Sequence, residues 1–490
     1  MSNLPEKNNE YVWKNRFSFL MAMIGAAVGL GNIWRFSYVL YSNGGGAFLI
    51  PYFIAIFIMG IPFLILEYGL GATFKNSLSN ILKKIKPQLE MLGWVTAFLV
   101  FLVLTYYVVI MAWDLIYLVM SFTKSWTLNP NVFFNTHIIV GSNNLNDIFM
   151  PVLPTLIATI FVWILLWYIS HKALDKGISK VVNILIPLLF IMMAIIVCYS
   201  FTLPGMSIGL NALLNPNWNL LLDINVWLAA FGQIIFSLSM GQAIAVTYAG
   251  YLPKNSRLVD NVLVVVGANS SFELFTALGV FSILGFMSFT SGVGIDQIAT
   301  SGTGLLFVVF PEIFNVMGDM AYIIAPVFFL CVFFAGVTSA LAFLEPMTLA
   351  VSKKFRINRS RSVTLLCIFG FLLSLVYTTG SGNYLLTIAD AFINQFGILL
   401  AVILQAVVFG WSYGVEKLLP VLNEYSSIKV GKTWELIIKY ILPVFLAVMW
   451  IIGILDLVNT QNTMDILIQL VIAIIIVVIP LILTKLPSKE

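Results

Sequence analysis

Charge, histidine and cysteine are all scarce in this chain. Asp, Glu, Lys and Arg make up 9% of its 490 residues, against about 25% in soluble proteins. So few charges cannot cover a water-facing surface of this size. That excludes a soluble protein, along with fibrous, disordered and secreted disulfide-rich classes. The two histidines, His137 and His171, both fall in connecting segments. No zinc, haem or histidine-dependent catalytic site can be assembled from them. The three cysteines, Cys198, Cys331 and Cys367, lie far apart in apolar segments. They read as packing residues rather than as a disulfide or metal site. What is abundant is apolar surface, since 60% of the residues are hydrophobic. The chain must use lipid as its solvent.

A helix needs about 20 apolar residues to cross a bilayer, so this length suits about twelve spans. Apolar runs of that length centre near 17–41, 47–72, 93–122, 151–170, 181–202 and 226–251. Six more centre near 258–289, 320–351, 362–378, 384–412, 436–455 and 466–485. The first ten residues are polar and show no cleavable signal pattern, so the first run reads as a retained helix. With both termini in the cytoplasm, all but two of the 25 basic residues fall inside, as the positive-inside rule requires. The exceptions are Lys124, outside, and Arg35, within a span. The outer segments carry Asp147, Asp223, Asp296 and Glu312 instead. A miscounted helix would invert this alternation.

Glycine interrupts two of the runs. The first contains Gly25-Ala-Ala-Val-Gly-Leu-Gly31-Asn32 and the sixth contains Ser237-Leu-Ser-Met-Gly241-Gln242. Interrupted helices five spans apart point to an inverted repeat with a midplane site at the breaks. The division expected is a cytoplasmic segment over 1–14, repeats over 15–205 and 226–414, and two peripheral helices over 434–485. Gly25-x-x-x-Gly29 also fits a helix-packing motif. Gly31, Asn32 and Arg35 favour a break, because unwound backbone frees carbonyls for Na⁺ and N–H groups for a carboxylate. Such backbone is tolerated at that depth only where it lines a cavity or binds something.

Ionisable residues within spans need a reason. The candidates are Arg35, Glu67, Glu273, Glu345 and Asp390, each set against the alternative of a buried structural pair. Arg35 and Asp390 are placed to face each other across an outer entrance. Thr338-Ser339 in the eighth run either bonds back to its own helix or supplies hard oxygens to a cation, with Ala335 and Gly336 allowing close backbone approach.

These stretches resemble the neurotransmitter:sodium symporter family, especially its prokaryotic amino-acid transporters of the leucine-transporter fold. The resemblance rests on GAAVGLGNIWRF (25–36), NGGGAFLIPYF (43–53), Tyr106-Tyr107, FSLSMG (236–241), FAGVTSALA (334–342) and the Asp390 region. It implies an all-α membrane protein of twelve helices, a 5+5 inverted repeat with the first and sixth broken, and two sodium sites. The first would use Asn32, Ser237, Asn269, the Ala27 carbonyl and the substrate carboxylate. The second would use Thr338 and Ser339 with carbonyls of Gly25, Val28 and Ala335.

The substrate carboxylate would lie on N–H groups near Leu30 and Gly31, beside Ala26 and Ala27, and on the Tyr107 hydroxyl. Val103, Phe236, Ser237, Ser239, Gln242, Ser339 and Phe343 would line the pocket, with Tyr107 and Phe236 as its lid. Gln242 either meets a polar substrate group or bonds free backbone at the break. Arg35 and Asp390 would form the outer gate, and Glu67 would brace the sixth helix by accepting its N–H groups. Glu273 would replace the chloride that some relatives need, its fixed charge lying near Na⁺.

Biogenic-amine members carry an aspartate where this chain has Gly29. Glycine leaves room for a substrate that brings its own carboxylate. Relatives close the inner side with a basic residue before the first tryptophan and an acid at the end of span eight. Here Glu10 and Lys353 stand there with reversed signs, either as a latch or as two solvated ends. The reading is therefore a Na⁺-coupled importer of a neutral amino acid, chloride-independent, in the plasma membrane, and not an enzyme. Its partners are Na⁺, the amino acid and the lipid bilayer, with no nucleic acid. An intramembrane enzyme would need a buried nucleophile–base pair, and a passive channel would need rings of charge or a repeated filter. Neither pattern is present in the sequence.

Overall fold

The computed structural model describes residues 11–126, 129–141, 144–460 and 462–488. The first interrupted run forms α1 (Arg16–Ala27) and α2 (Leu30–Trp34), followed by α3 (Ile61–Phe74), α4 (Glu90–Ser121), α5 (Leu153–Ser170) and α6 (Ile178–Ser200). The second half opens with α7 (Ile224–Ser237), α8 (Ile244–Gly250), α9 (Leu258–Ser291) and α10 (Ala321–Phe355). It continues with α11 (Arg359–Ser374), α12 (Gly382–Phe392), α13 (Leu399–Val407), α14 (Leu442–Thr460) and α15 (Thr463–Lys485). Among the described residues the only β pairing is an isolated bridge between Pro151 and Thr379.

Among the described residues ten helices are long and apolar enough to cross a membrane, and α1 with the segment Leu30–Ser42 makes an eleventh, bent by 56°. The remaining run, 226–251, holds α7 and α8, each too short to span alone. Helix starts follow local chemistry. The Asn15 side chain accepts from the Ser18 N–H at 2.8 Å, Asn358 from Arg361 at 3.0 Å and Asn462 from Asp465 at 3.0 Å. Each satisfies an N–H group that the first turn leaves without a carbonyl.

Burial separates a centre from a periphery. The apolar stretches of Pro87–Ser121 and Gly318–Phe355 are 89% and 78% buried within the protein. Those of Lys432–Leu455 and Thr463–Lys485 are only 22% and 17% buried, as expected of peripheral helices with most of their surface on lipid. The central pair, α4 and α10, runs antiparallel, tied at one end by Lys354 to Glu90 at 2.7 Å. Of the two, α10 packs on α1, α2 and α8, the segments of both interrupted helices.

Candidate substrate and ion site between two interrupted helices

Helix α1 ends at Ala27, and a new helix starts at Leu30 after two extended residues. Val28 caps the first and Gly29 leads into the second. Two freed N–H groups turn to side chains. Gly29 donates to Asn32 Oδ1 at 2.9 Å and Leu30 points at the Tyr107 hydroxyl at 3.5 Å. Gly25 supports both readings of the motif. A Cβ there would stand 2.8 Å from Ile186 and 2.9 Å from Thr338, so it is a close-packing residue, and its carbonyl accepts from Ser339 Oγ at 3.0 Å.

The second interruption is sharper. Ser239, Gly241 and Ala243 all have left-handed backbone, with φ of 51°, 67° and 60°. A Cβ at Gly241 would fall 2.3 Å from Val402, so only glycine fits there. Gln405 of α13 donates to the Gly241 carbonyl at 2.8 Å. Glu67 of α3 is fully buried beside the Gly241 N–H, at the edge of hydrogen-bonding geometry. The unwound strand is thus held by Gln405, a partner that sequence reasoning missed. Ser239 Oγ donates to the Ala26 carbonyl at 3.1 Å, joining the two breaks directly.

Polar side chains of the expected first ion site form one chain of hydrogen bonds. Asn32 Nδ2 donates to Asn269 Oδ1 at 2.8 Å, and Asn269 Nδ2 to Ser237 Oγ at 2.5 Å. The acceptor oxygens retain lone pairs and are neutral and hard, which suits an alkali cation. Glu273, one turn beyond Asn269, accepts from the Tyr52 hydroxyl and from Gln233 Nε2 at 2.8 Å. At the expected second site, Thr338 bonds back to the Phe334 and Ala335 carbonyls at 3.1 Å each. Ser339 reaches across to α1 instead. Back-bonding describes the threonine and cross-linking describes the serine.

Several of the residues expected to line the substrate pocket are part-exposed between the breaks. Val103, Tyr107, Phe236 and Gly31 are half-exposed in the middle of otherwise buried segments, and a Cβ on Gly31 would meet nothing within 4 Å. At Gly29 a Cβ would stand 2.9 Å from Ser339 Oγ and 3.5 Å from the Tyr107 hydroxyl. Phe343 packs edge-on against Tyr107 with ring centroids 5.3 Å apart. Gln242 is buried, and its side chain makes no hydrogen bond with a described residue. It therefore does not brace the break; Gln405 does.

The residues expected at the two gates have these surroundings. Arg35 and Asp390 lie close enough to interact electrostatically, without a direct ion pair. The Arg35 guanidinium rests on the Phe236 ring at 4.7 Å, while Asp390 accepts from the Tyr106 hydroxyl and Asn394, both at 2.8 Å. At the inner end Lys353 is exposed, and Glu10 lies outside the described residues. Other groups also make contacts at this end. Arg359 of α11 forms a buried ion pair with Glu345 of α10, and Tyr251 donates to Glu345 at 3.2 Å. Trp13 Nε1 donates to the Tyr248 carbonyl at 2.9 Å, and the Tyr11 hydroxyl to Ser352 Oγ at 3.1 Å. Glu345 thus follows the structural-pair reading, with a partner fourteen residues along the chain.

A family model for the sodium:neurotransmitter symporter family matches residues 10–149 and 129–486. The chain belongs to the sodium:neurotransmitter symporter family. It is 36% identical over 434 residues to an uncharacterized sodium-dependent transporter of Methanocaldococcus jannaschii, covering 89% of this chain and 88% of the relative. It is 30% identical over 484 residues to a sodium-dependent serotonin transporter of Drosophila melanogaster, covering 92% of this chain and 78% of that protein. This symporter is therefore a multi-pass, all-α membrane protein of sodium-coupled transport and not an enzyme.

Proposed function

We propose that this symporter imports a neutral amino acid together with Na⁺ bound at two sites, by alternating access and without chloride. The observation that carries the substrate class is Gly29. Its bare Cα faces Ser339 and Tyr107 at the first helix break, where a Cβ would crowd Ser339 Oγ at 2.9 Å, so the position disfavours the aspartate that biogenic-amine members of the family place there. Although one relative is a serotonin transporter, the ligand here has to supply its own carboxylate. The Leu30 N–H and the Tyr107 hydroxyl are its anchors, and Val103, Phe236 and Phe343 hold its side chain.

The Asn32–Asn269–Ser237 chain supports the first Na⁺ site, and Ser339 with the Gly25 carbonyl supports the second. Glu273 accepts from two neutral donors, Tyr52 and Gln233, so a fixed carboxylate takes the place of an anion beside the first cation. Twelve spans in a 5+5 inverted repeat, with both termini cytoplasmic in the plasma membrane, agree with corresponding breaks in the first and sixth runs and with the basic inner loops. Each Na⁺ entering across 100 mV contributes about 2.3 kcal/mol, and a tenfold gradient adds about 1.4 kcal/mol per ion. Two ions would make uptake strongly concentrative.

Uptake of radiolabelled amino acids into proteoliposomes tests this reading. An inward Na⁺ gradient should drive accumulation, and replacing chloride with gluconate should leave it unchanged. Accumulation without Na⁺, or collapse without chloride, would overturn the coupling scheme. In Glu273→Ser the residual uptake should become chloride-responsive.

A further inference from the structure

Asp114, in the outer third of α4, has no place in the scheme above. It is 1% exposed, and neither carboxylate oxygen accepts a hydrogen bond from a described residue. It lies seven residues beyond Tyr107 and three beyond Met111, on the helix face that packs against α10. Met111 seals the inner side, its Cγ 3.0 Å from where a Gly336 Cβ would be. Toward the outside the neighbouring turn carries a cap. Tyr117 donates to the Phe307 carbonyl at 2.8 Å, and the Trp113 and Phe134 rings pack on the Phe307 ring.

An ionised carboxylate without a partner in such an interior is strongly unfavourable. A basic side chain, a metal ion or a proton could neutralise it. The titratable groups facing it are Cys331 on α10 and Tyr107 on its own helix. Neither is basic, and Cys331 Sγ already points to the Leu189 carbonyl at 3.8 Å. Other elements packed against α4 carry their charges at helix ends: Lys83 and Lys84 on helix Leu78–Ile85, Arg359 and Arg361 on α11, and Asp465 and Lys485 on α15. The other titratable groups on these neighbours are Tyr168 on α5, Cys367 on α11, Tyr377 on the turn Leu375–Thr378 and His137 on the segment Phe134–Ile138. A metal ion needs several oxygens around it, and no group of three metal-ligating side chains occurs among the described residues.

We propose that Asp114 is a proton-binding site of the transporter, filled in this closed arrangement and exchanging its proton with water when the segment over Phe307 moves away. In the open form the carboxylate is hydrated and ionised; closing the cap takes up one H⁺ from water and buries the neutral acid. The inference rests on the transport reading. It adds a proton to the cycle, held apart from both expected Na⁺ sites.

The test uses the full chain in proteoliposomes, with Na⁺-driven uptake followed across about pH 5–8. Because closing takes up a proton, wild-type uptake should fall severalfold as the pH rises. Asp114→Asn, an isostere of the neutral acid, should flatten the profile and keep uptake at the alkaline end at or above wild type. An unchanged slope in Asp114→Asn would overturn the proposal. Infrared difference spectra of the purified protein provide a readout independent of uptake. A component of the buried carboxylic acid band should be present at neutral pH in the wild type and lost from both Asp114→Asn and Asp114→Ala, any contribution from the buried Glu67 staying in all three. A band of unchanged intensity in the folded variants would equally overturn it. Failure of Na⁺-driven uptake in the wild type would sink the transport reading while leaving the infrared test of Asp114 intact.

Discussion

The two ends of the path are closed by different chemistry. At the inner end a desolvated carboxylate and guanidinium are fully paired, and tyrosines and a tryptophan from the chain before α1 and after α8 hydrogen-bond around them. At the outer end an arginine lies on an aromatic face, and the nearby acid is held by its own neighbours instead. A buried pair is hard to open because each partner would be left unpaired in a low dielectric. A cation on a ring slides off at little cost. The difference makes the Arg359–Glu345 end the harder of the two to open.

The largest effect should come from breaking the inner lock. Arg359→Ala leaves Glu345 buried without its partner and should destabilise the closed inner end by about 3–5 kcal/mol. Cysteine accessibility along the inner half of α1 should rise sharply. Replacing both residues by glutamine should do less, because no charge is left stranded. Next comes the expected substrate pocket between the two ends. Gly29→Asp drives a side chain toward Ser339, and overpacking of this kind is worth about 1–3 kcal/mol. Amino-acid binding should weaken by roughly 5- to 150-fold, read by equilibrium binding.

At the outer end Phe236→Leu removes the ring beneath Arg35. That contact is worth about 0.5–2 kcal/mol, so accessibility above the pocket should increase modestly and the inner end should not respond. The smallest effect belongs to Lys353→Glu. The side chain is exposed, and exposed pairs contribute little. An inner opening as large as that of Arg359→Ala would show that Lys353 and Glu10 form the dominant latch after all.

How much of this could be read from residues alone varies with the interaction's range. The spans were legible because lipid imposes a length and a polarity on each one. The first break was legible because three glycines and an asparagine fall within one short stretch. Its counterpart was legible only in outline. Ser239 and Ala243 adopt left-handed backbone that no residue type announces, and the brace from Gln405 comes from a helix more than 160 positions away. Arg359 sits at a helix start and reads as a solvated end until α10 and α11 are seen side by side. Asp114 is the opposite case. An acid in the middle of an apolar run is visible in the sequence, but only its surroundings show that nothing answers its charge.

The central claim is that Na⁺ builds the amino-acid site between the two interrupted helices. Equilibrium binding of a panel of radiolabelled amino acids to the purified protein, in Na⁺ and in K⁺, tests it most directly. The account predicts saturable binding of a neutral amino acid in Na⁺, none in K⁺, and severe loss in the Thr338→Ala, Ser339→Ala double variant. Equal binding in K⁺, or full Na⁺-dependent binding in that double variant, would contradict it.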